Sequence, residues 1–131
     1  VPAWAQLVIT EAIVDELLAG DLRALEPLIV EDTRKGLGRV QLVLVKTLGA
    51  GRALAQGPRA FRSIYERGTA EVEVKGRSAR TAFVGNPLFG HPTWRALQLM
   101  ATRTLLELAG TPGDASGEDL GADAFAAVAS W

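Results

Sequence analysis

Residues 69–84 read Thr-Ala-Glu-Val-Glu-Val-Lys-Gly-Arg-Ser-Ala-Arg-Thr-Ala-Phe-Val, and this stretch decides the fold class. Ala70, Val72 and Val74 alternate with Glu71 and Glu73, which is the two-residue period of a strand with one buried face. Lys75-Gly76-Arg77 supplies a turn, and Ser78 to Val84 is a second β-prone run, so the pair reads as a β-hairpin. Before Gly68 the apolar residues follow a helical period instead. A chain that runs helices first and then opens a β-hairpin belongs to the α+β class rather than to a regular βαβ alternation.

Toward the N-terminus, Trp4 to Leu18 reads as a helix with Trp4, Leu7, Val8, Val14, Leu17 and Leu18 on one face and Gly20 as its stop. Asp21 is placed to N-cap a short helix, Leu22 to Glu26, which Pro27 breaks or restarts. Thr33 to Gln56 carries two signals. Val40 to Val45 is β-prone, yet Leu37, Val40, Leu44 and Leu48 stand at helical spacing. The expectation is a long, mostly buried helix, kinked near Gly49 and Gly51 and ended by Gly57-Pro58. A short helix led by Pro58 follows, with Phe61, Ile64 and Tyr65 inward and Gly68 closing it.

Toward the C-terminus, Gly85 to Pro92 is a loop, and Thr93 N-caps a helix from Trp94 to Ala109. Leu97, Met100, Ala101, Leu105 and Leu108 share its inner face, and Gly110 stops it. Residues 111–121 are dense in breakers and read as a loop. Asp123 to Trp131 reads as a final strand with Phe125, Ala127, Ala129 and Trp131 on one side. The expected architecture is a single α+β domain over 1–131. Helices over 1–68, one of them long and buried, pack on a small, mostly antiparallel sheet; residues 69–131 form a β-β-α-β half.

The 131 residues are 48 % hydrophobic and 22 % charged, a globular balance that argues against a disordered chain, a collagen repeat or a coiled-coil rod. There is no cysteine, so disulfides, thiolate metal sites and cysteine nucleophiles are excluded. No apolar run reaches the roughly 18 residues of a membrane helix. Val1 to Gly20 has no basic start and is interrupted by Glu11, Asp15 and Glu16, so no signal peptide is expected and a cytoplasmic location is the default. The chain starts Val1-Pro2 without Met, as a processed chain or the ordered part of a longer one would.

Net charge is −1, but it is unevenly placed. Residues 1–33 carry seven acids and one base, residues 34–103 thirteen bases and three acids, and residues 104–131 five acids and no base. A basic middle can serve as an anion or nucleic-acid face. The simpler expectation is that the acidic ends fold back against it. Within that middle, Arg52, Arg59, Arg62 and Arg67 form the best anion-binding candidate, set against the plainer reading of a solvated face.

Catalytic chemistry finds few footholds. His91 is the sole histidine, no acidic cluster flanks it, and a calcium loop's alternate ligands are missing, so neither a metal nor a cofactor is expected. Gly90-His91-Pro92-Thr93 precedes a helix, where His91 serves the helix start better than an imidazole-based triad. Gly49-Ala50-Gly51-Arg52 is only a fragment of a dinucleotide-binding pattern, and such glycines more often mark a kink or a close crossing. Glu71 and Glu73 could pair as in a glycosidase, but their alternation with valine makes them an exposed strand face.

The stretch from Leu37 onward carries a resemblance. Its pieces are Leu37-Gly38-Arg39, Gly51-Arg52-Ala53-Leu54, the Pro58-led segment with Phe61 and Tyr65, Gly68 before a hairpin, and Gly90-His91-Pro92 before a helix that ends Leu106-Glu107-Leu108-Ala109-Gly110. The close is Asp123-Ala124-Phe125-Ala126-Ala127-Val128-Ala129-Ser130-Trp131. This resembles an uncharacterised paralogous family of myxobacteria. That family is similar in turn to the group holding vinyl-reductase-type domains, transport-particle subunits of vesicle tethering and haem-nitric-oxide domains. The resemblance covers the last two-thirds of the chain and implies helices packed on a twisted antiparallel sheet. It also implies either small hydrophobic ligands or haem, or dimers that act as assembly platforms. The haem branch needs a helical proximal His and a Tyr-x-Ser-x-Arg motif. Here Tyr65 precedes Glu66-Arg67-Gly68 and His91 precedes Pro92, so haem is not expected. Metal-binding cysteines of vinyl-reductase-type members are absent too.

Three functional readings follow. The first is a non-enzymatic regulatory or assembly domain that acts through protein–protein contacts as a homodimer or with another protein, with Trp4, Trp94 and Trp131 as core anchors or contact residues. The second is a sensor of a small apolar ligand, held in a cavity lined by Val40, Leu44, Leu48, Val72, Phe83, Leu97, Met100, Leu105 and Phe125. A cavity of roughly a few hundred cubic ångströms is its requirement. The third is anion or nucleic-acid binding through the basic middle. Nucleic acid is the least expected partner, because its specific readers are usually basic overall.

Overall fold

The structure, a computed structural model, describes residues 5, 8–12, 21–36 and 39–131. Ala5 and residues 8–12 are helical, and the rest of the helix expected over Trp4–Leu18, with its stop at Gly20, lies outside the described residues. Asp21 caps as expected: its side chain accepts from Arg23 N, starting a 3-10 turn over Leu22–Leu25. Helix α1 then runs Glu26–Gly36. Pro27 sits in its first turn, where the missing N–H has no intrahelical partner to lose. Helix α2 spans Arg39–Ala55, α3 Gly57–Ile64 and α4 Pro92–Leu108.

The long helical segment departs from its expected burial. Val43, Leu44 and Leu48 of α2 are 60 %, 52 % and 41 % exposed, whereas Ala50 and Leu54 are buried. At 100° per residue a helix cannot turn a continuous apolar run to one side. Val45 takes the inward position before the kink. Gly49 then adopts φ 79°, ψ 168°, and the bend hands the inward row to Ala50 and Leu54. The kink itself falls where the Gly49-Ala50-Gly51 pattern placed it.

The hairpin forms as read, β1 over Thr69–Lys75 and β2 over Ser78–Val84, antiparallel with Val72 opposite Thr81. After α4 come β3, Asp114–Gly121, and β4, Ala124–Ser130. The four strands make one wholly antiparallel sheet in the order β1-β2-β4-β3. The C-terminal half is therefore β-β-α-β-β, and the loop expected over 111–121 is largely an edge strand. It lacks apolar alternation because backbone pairing with β4, not side-chain burial, holds it. Gly117 shows a further constraint: a Cβ there would stand 2.6 Å from Phe125 Cε2, so the residue that looks like a breaker makes room for a ring.

The helix start before α4 also shifts. His91, not Thr93, is the N-cap, its Nδ1 accepting from Thr93 N at 3.2 Å, and Pro92 enters the first turn. The C-terminal end follows the Schellman pattern, with Thr111 N bonded to Leu106 O and Gly110 N to Glu107 O.

Among the described residues, both core clusters build on the face of the sheet that carries Phe83, Phe125, Ala79 and Ala129. One cluster gathers Phe61, Phe83, Phe89, Trp94 and Phe125, with Tyr65 against it. Trp94 Nε1 donates to the Tyr65 hydroxyl at 3.1 Å, which offsets the cost of taking the indole N–H out of water. A second cluster joins Ala50 and Leu54 of α2 to Leu106 and Ala109 at the far end of α4, with Ala79, Ala129 and Trp131 beneath. Trp94 and Trp131 are thus core anchors, and Trp4 lies outside the described residues. Arg95 clamps this core to the sheet edge. Its guanidinium donates to Phe89 O at 2.6 Å, Gly121 O at 2.8 Å and Ala124 O at 3.0 Å, and stands 5.2 Å from the Phe125 ring centroid. Among the described residues, no helix is long and apolar enough to cross a membrane.

Candidate functional site

A half-open cavity of about 250 Å³ lies between α3, α4 and the sheet. Phe61 and Tyr65 form one wall, Thr81 and Phe83 the floor, and Gln98, Ala101, Thr102 and Leu105 of α4 the other wall, with Leu54 at one end. It opens because α3, only two turns long, stands off α4. The four α4 residues sit at i, i+3, i+4 and i+7, one helical stripe. Thr102 Oγ1 donates to Gln98 O, and Tyr65 Oη accepts from Trp94, so both hydroxyl oxygens keep acceptor capacity toward the cavity. The lining is thus apolar with neutral hydroxyl and amide groups and no charge.

The expected lining is met only in part. Phe83 and Leu105 line the cavity. Leu44 and Leu48 face solvent instead, because the bend at Gly49 turns them off the core. Met100 is buried in solid packing at 2 % exposure, and Phe125 and Leu97 belong to the aromatic cluster. Val72 is half-buried on β1, and the Val40 side chain lies outside the described residues. Leu54, Phe61, Tyr65, Thr81, Gln98 and Thr102 escaped the sequence reading. The signal was the mixed stripe on α4: counting only its apolar members hides the polar wall.

The acidic ends do fold back on part of the basic middle. Glu26 meets Arg103 through a two-pronged pair, Nε–Oε1 2.6 Å and Nη2–Oε2 3.1 Å, which fastens α1 to α4. The bonded Glu26 carboxylate holds the Arg103 pKa above its ordinary value, against the opposing effect of burial. Glu107 reaches Arg34, Glu118 reaches Arg80, and Asp119 reaches Arg95. Hydrogen bonds from Gly121 N–H and then from Arg95 hold Asp119 below the usual carboxylate range. Among the described residues, Lys46, Arg52, Arg59, Arg62 and Arg67 take no part in this pairing, and all are exposed. Arg52 points outward from α2 beyond the kink, Arg59 and Arg62 are neighbours at i, i+3 on α3, and Arg67 precedes β1. A solvated cationic stretch thus continues from the exposed apolar row of α2.

Glu71 and Glu73 lie on the open face of the sheet, Glu73 paired with Lys75 at 3.0 Å, and His91 is occupied as a helix cap. Among the described residues no three His, Asp or Glu side chains converge as metal ligands. Compared with protein-family models and with curated proteins, the chain matches none.

Proposed function

We propose that the chain is a regulatory or assembly domain that works by protein–protein contact rather than by catalysis. The observation that carries this reading is the open row Val43, Leu44 and Leu48 on α2. Isolated surface leucines need no explanation, but three within two turns of one helix form a patch, and patches of this kind mark interaction surfaces. The assembly platforms in the wider group that the C-terminal two-thirds resembles are of the same functional kind. Native mass spectrometry of the full chain purified from its host tests the reading. A homo-oligomer or a stoichiometric protein complex is expected, with α2 amides protected from hydrogen exchange in it. A bare chain that gains no protein at any concentration refutes it.

The cavity favours a second reading, a sensor for a small neutral apolar ligand. At about 250 Å³ it falls at the lower edge of drug-sized sites, which fits a compact molecule with one hydroxyl, amide or carbonyl end. Ala101 is exposed at its rim, so Ala101→Phe closes the mouth from outside the core. Retained small-molecule mass on the native chain, lost in this variant, supports the sensor. Equal mass on both proteins refutes it.

A further inference from the structure

The inward line of α4 is interrupted. Trp94, Ala101 and Leu108 stand seven residues apart, so at 100° per residue they share one side of the helix. Trp94 and Leu108 are 2 % and 4 % exposed, whereas Ala101 between them is open. An exposed alanine flanked on its own line by two core residues marks a place for which the described chain supplies no neighbour. That place is the half-open cavity between α3, α4 and the sheet. An apolar cavity of about 150 Å³ takes a benzene ring, so about 250 Å³ takes roughly ten non-hydrogen atoms.

The polar groups of its lining gather toward one end. Tyr65 Oη accepts from Trp94 Nε1, and Gln98 follows Trp94 by one turn, which sets hydroxyl and carboxamide together. Gly57, two turns from Tyr65 along α3, and Leu105, two turns from Gln98 along α4, mark the other end with Leu54. Among the described residues the Gln98 carboxamide has no hydrogen-bond partner, and the Tyr65 proton has no acceptor. A carboxamide presents an acceptor beside a donor whichever way it is turned. The group that meets both at once carries N–H and C=O on one edge, as a lactam does. The second lone pair of its carbonyl is then available to the Tyr65 proton. A ketone leaves the Gln98 oxygen without a donor, and a carboxylate brings a charge that nothing in the lining neutralises. The stacked rings of Phe61 and Tyr65, 4.6 Å between centroids, give that end a flat wall.

We infer that the cavity binds a flat, neutral lactam of roughly ten non-hydrogen atoms. Its amide edge pairs with Gln98, its carbonyl also accepts from Tyr65, and its hydrocarbon part lies toward Leu54 and Leu105. This rests on the sensor reading and names the ligand class for it.

Four bicyclic probes of nearly one shape test the assignment. Oxindole has the whole lactam edge, N-methyloxindole lacks the N–H, 2-indanone lacks the nitrogen, and indane lacks the carbonyl as well. Each is titrated into the full chain and followed by amide NMR. Oxindole is expected to bind at least tenfold tighter than N-methyloxindole or 2-indanone and to shift the Gln98 side-chain amide and the Trp94 indole N–H. Gln98→Met keeps the length of the side chain and is expected to abolish that preference while indane binds as before. Equal affinity for oxindole and 2-indanone overturns the lactam assignment and leaves the sensor reading standing. So does a preference that survives Gln98→Met. Binding of none of the four at about 5 mM also overturns the assignment, and the sensor reading is then decided separately by the retained mass on the native chain and on Ala101→Phe. Should Gln98→Met fail to fold, the ratio of oxindole to 2-indanone affinity on the native chain decides, with oxindole shifts that miss Gln98 and Trp94 overturning the proposal.

Discussion

Replacing Arg95 by Ala should weaken the fold more than any surface substitution and should do so from one identifiable corner. The guanidinium donates to the carbonyls of Phe89 and Ala124, residues that are 0 % and 7 % exposed, as well as to Gly121 O. Hydrogen bonds to a charged group contribute about 1.5–3 kcal/mol each, and a carbonyl orphaned away from water adds its own desolvation cost. Counting only the two carbonyls of buried residues, and leaving out the exposed Asp119 contact, gives a loss of about 3–6 kcal/mol. That is a large share of the ~5–15 kcal/mol that holds a domain folded. Arg95→Lys should recover less than half, since one ammonium cannot span carbonyls that the guanidinium fork reaches from Nε and Nη2. Urea unfolding measures the loss, and hydrogen exchange locates it. Amides of residues 114–124 should exchange first, because the β3–β4 turn hangs on this side chain. A change under about 0.5 kcal/mol for Arg95→Ala, the range of an ordinary surface position, would refute the clamp.

Three further outcomes are expected. Gly117→Ala places a methyl group against the Phe125 ring and should cost about 1–3 kcal/mol through displaced packing, measured by thermal melting; Ser116→Ala, exposed on the same strand, should be close to neutral. Glu26→Gln breaks the fork to Arg103 and should release α1 from α4, read as faster exchange of α1 amides with little effect on the sheet. The third concerns pH. Asp119 is held below the usual carboxylate range by Gly121 N–H and Arg95, so its contribution is present above the unfolded value near 3.9 and is lost as pH falls through the lower folded value. Acid titration followed by NMR should therefore show the β3–β4 turn loosening below about pH 4, and Asp119→Asn should flatten that dependence.

The parts of the fold that the sequence discloses share one property: one-sided burial within the chain. In β1, Ala70 and Val72 alternate with two exposed glutamates because that strand has one covered face, and the alternation is visible without coordinates. Strand β3 has no such signature. Ala115 alone is buried in it, and Asp114, Ser116, Gly117 and Glu118 are chosen for edge exposure and for the ring of Phe125, so turn-forming composition masks a paired backbone. The His91 cap is a related case. The Gly-His-Pro-Thr stretch points to a helix start, but Thr93 is the stronger capping residue by type. Only the position of Pro92 in the first turn assigns the cap to His91.

The site was harder to read for a deeper reason. Apolar residues in a sequence report that water is to be excluded, but not by what. Between Val40 and Leu48 the apolar density is high enough for a buried helix, and the inference that Leu44 and Leu48 line an internal cavity is sound if the only available cover is the chain itself. The bend at Gly49 removes that premise: it commits Val45, Ala50 and Leu54 to the core and turns Val43, Leu44 and Leu48 away. The same surplus appears at Val8 and Ile9, on a stretch whose Glu11 is already tied to Thr93. Leaving these five side chains half open forgoes roughly 0.5–1.5 kcal/mol each, taking half of the full burial of a Val, Leu or Ile. A monomer could recover part of that by polar substitutions that touch nothing else. The open row on α2 is therefore the surface on which the protein-contact reading stands, and it, rather than the internal cavity, is the first thing to test.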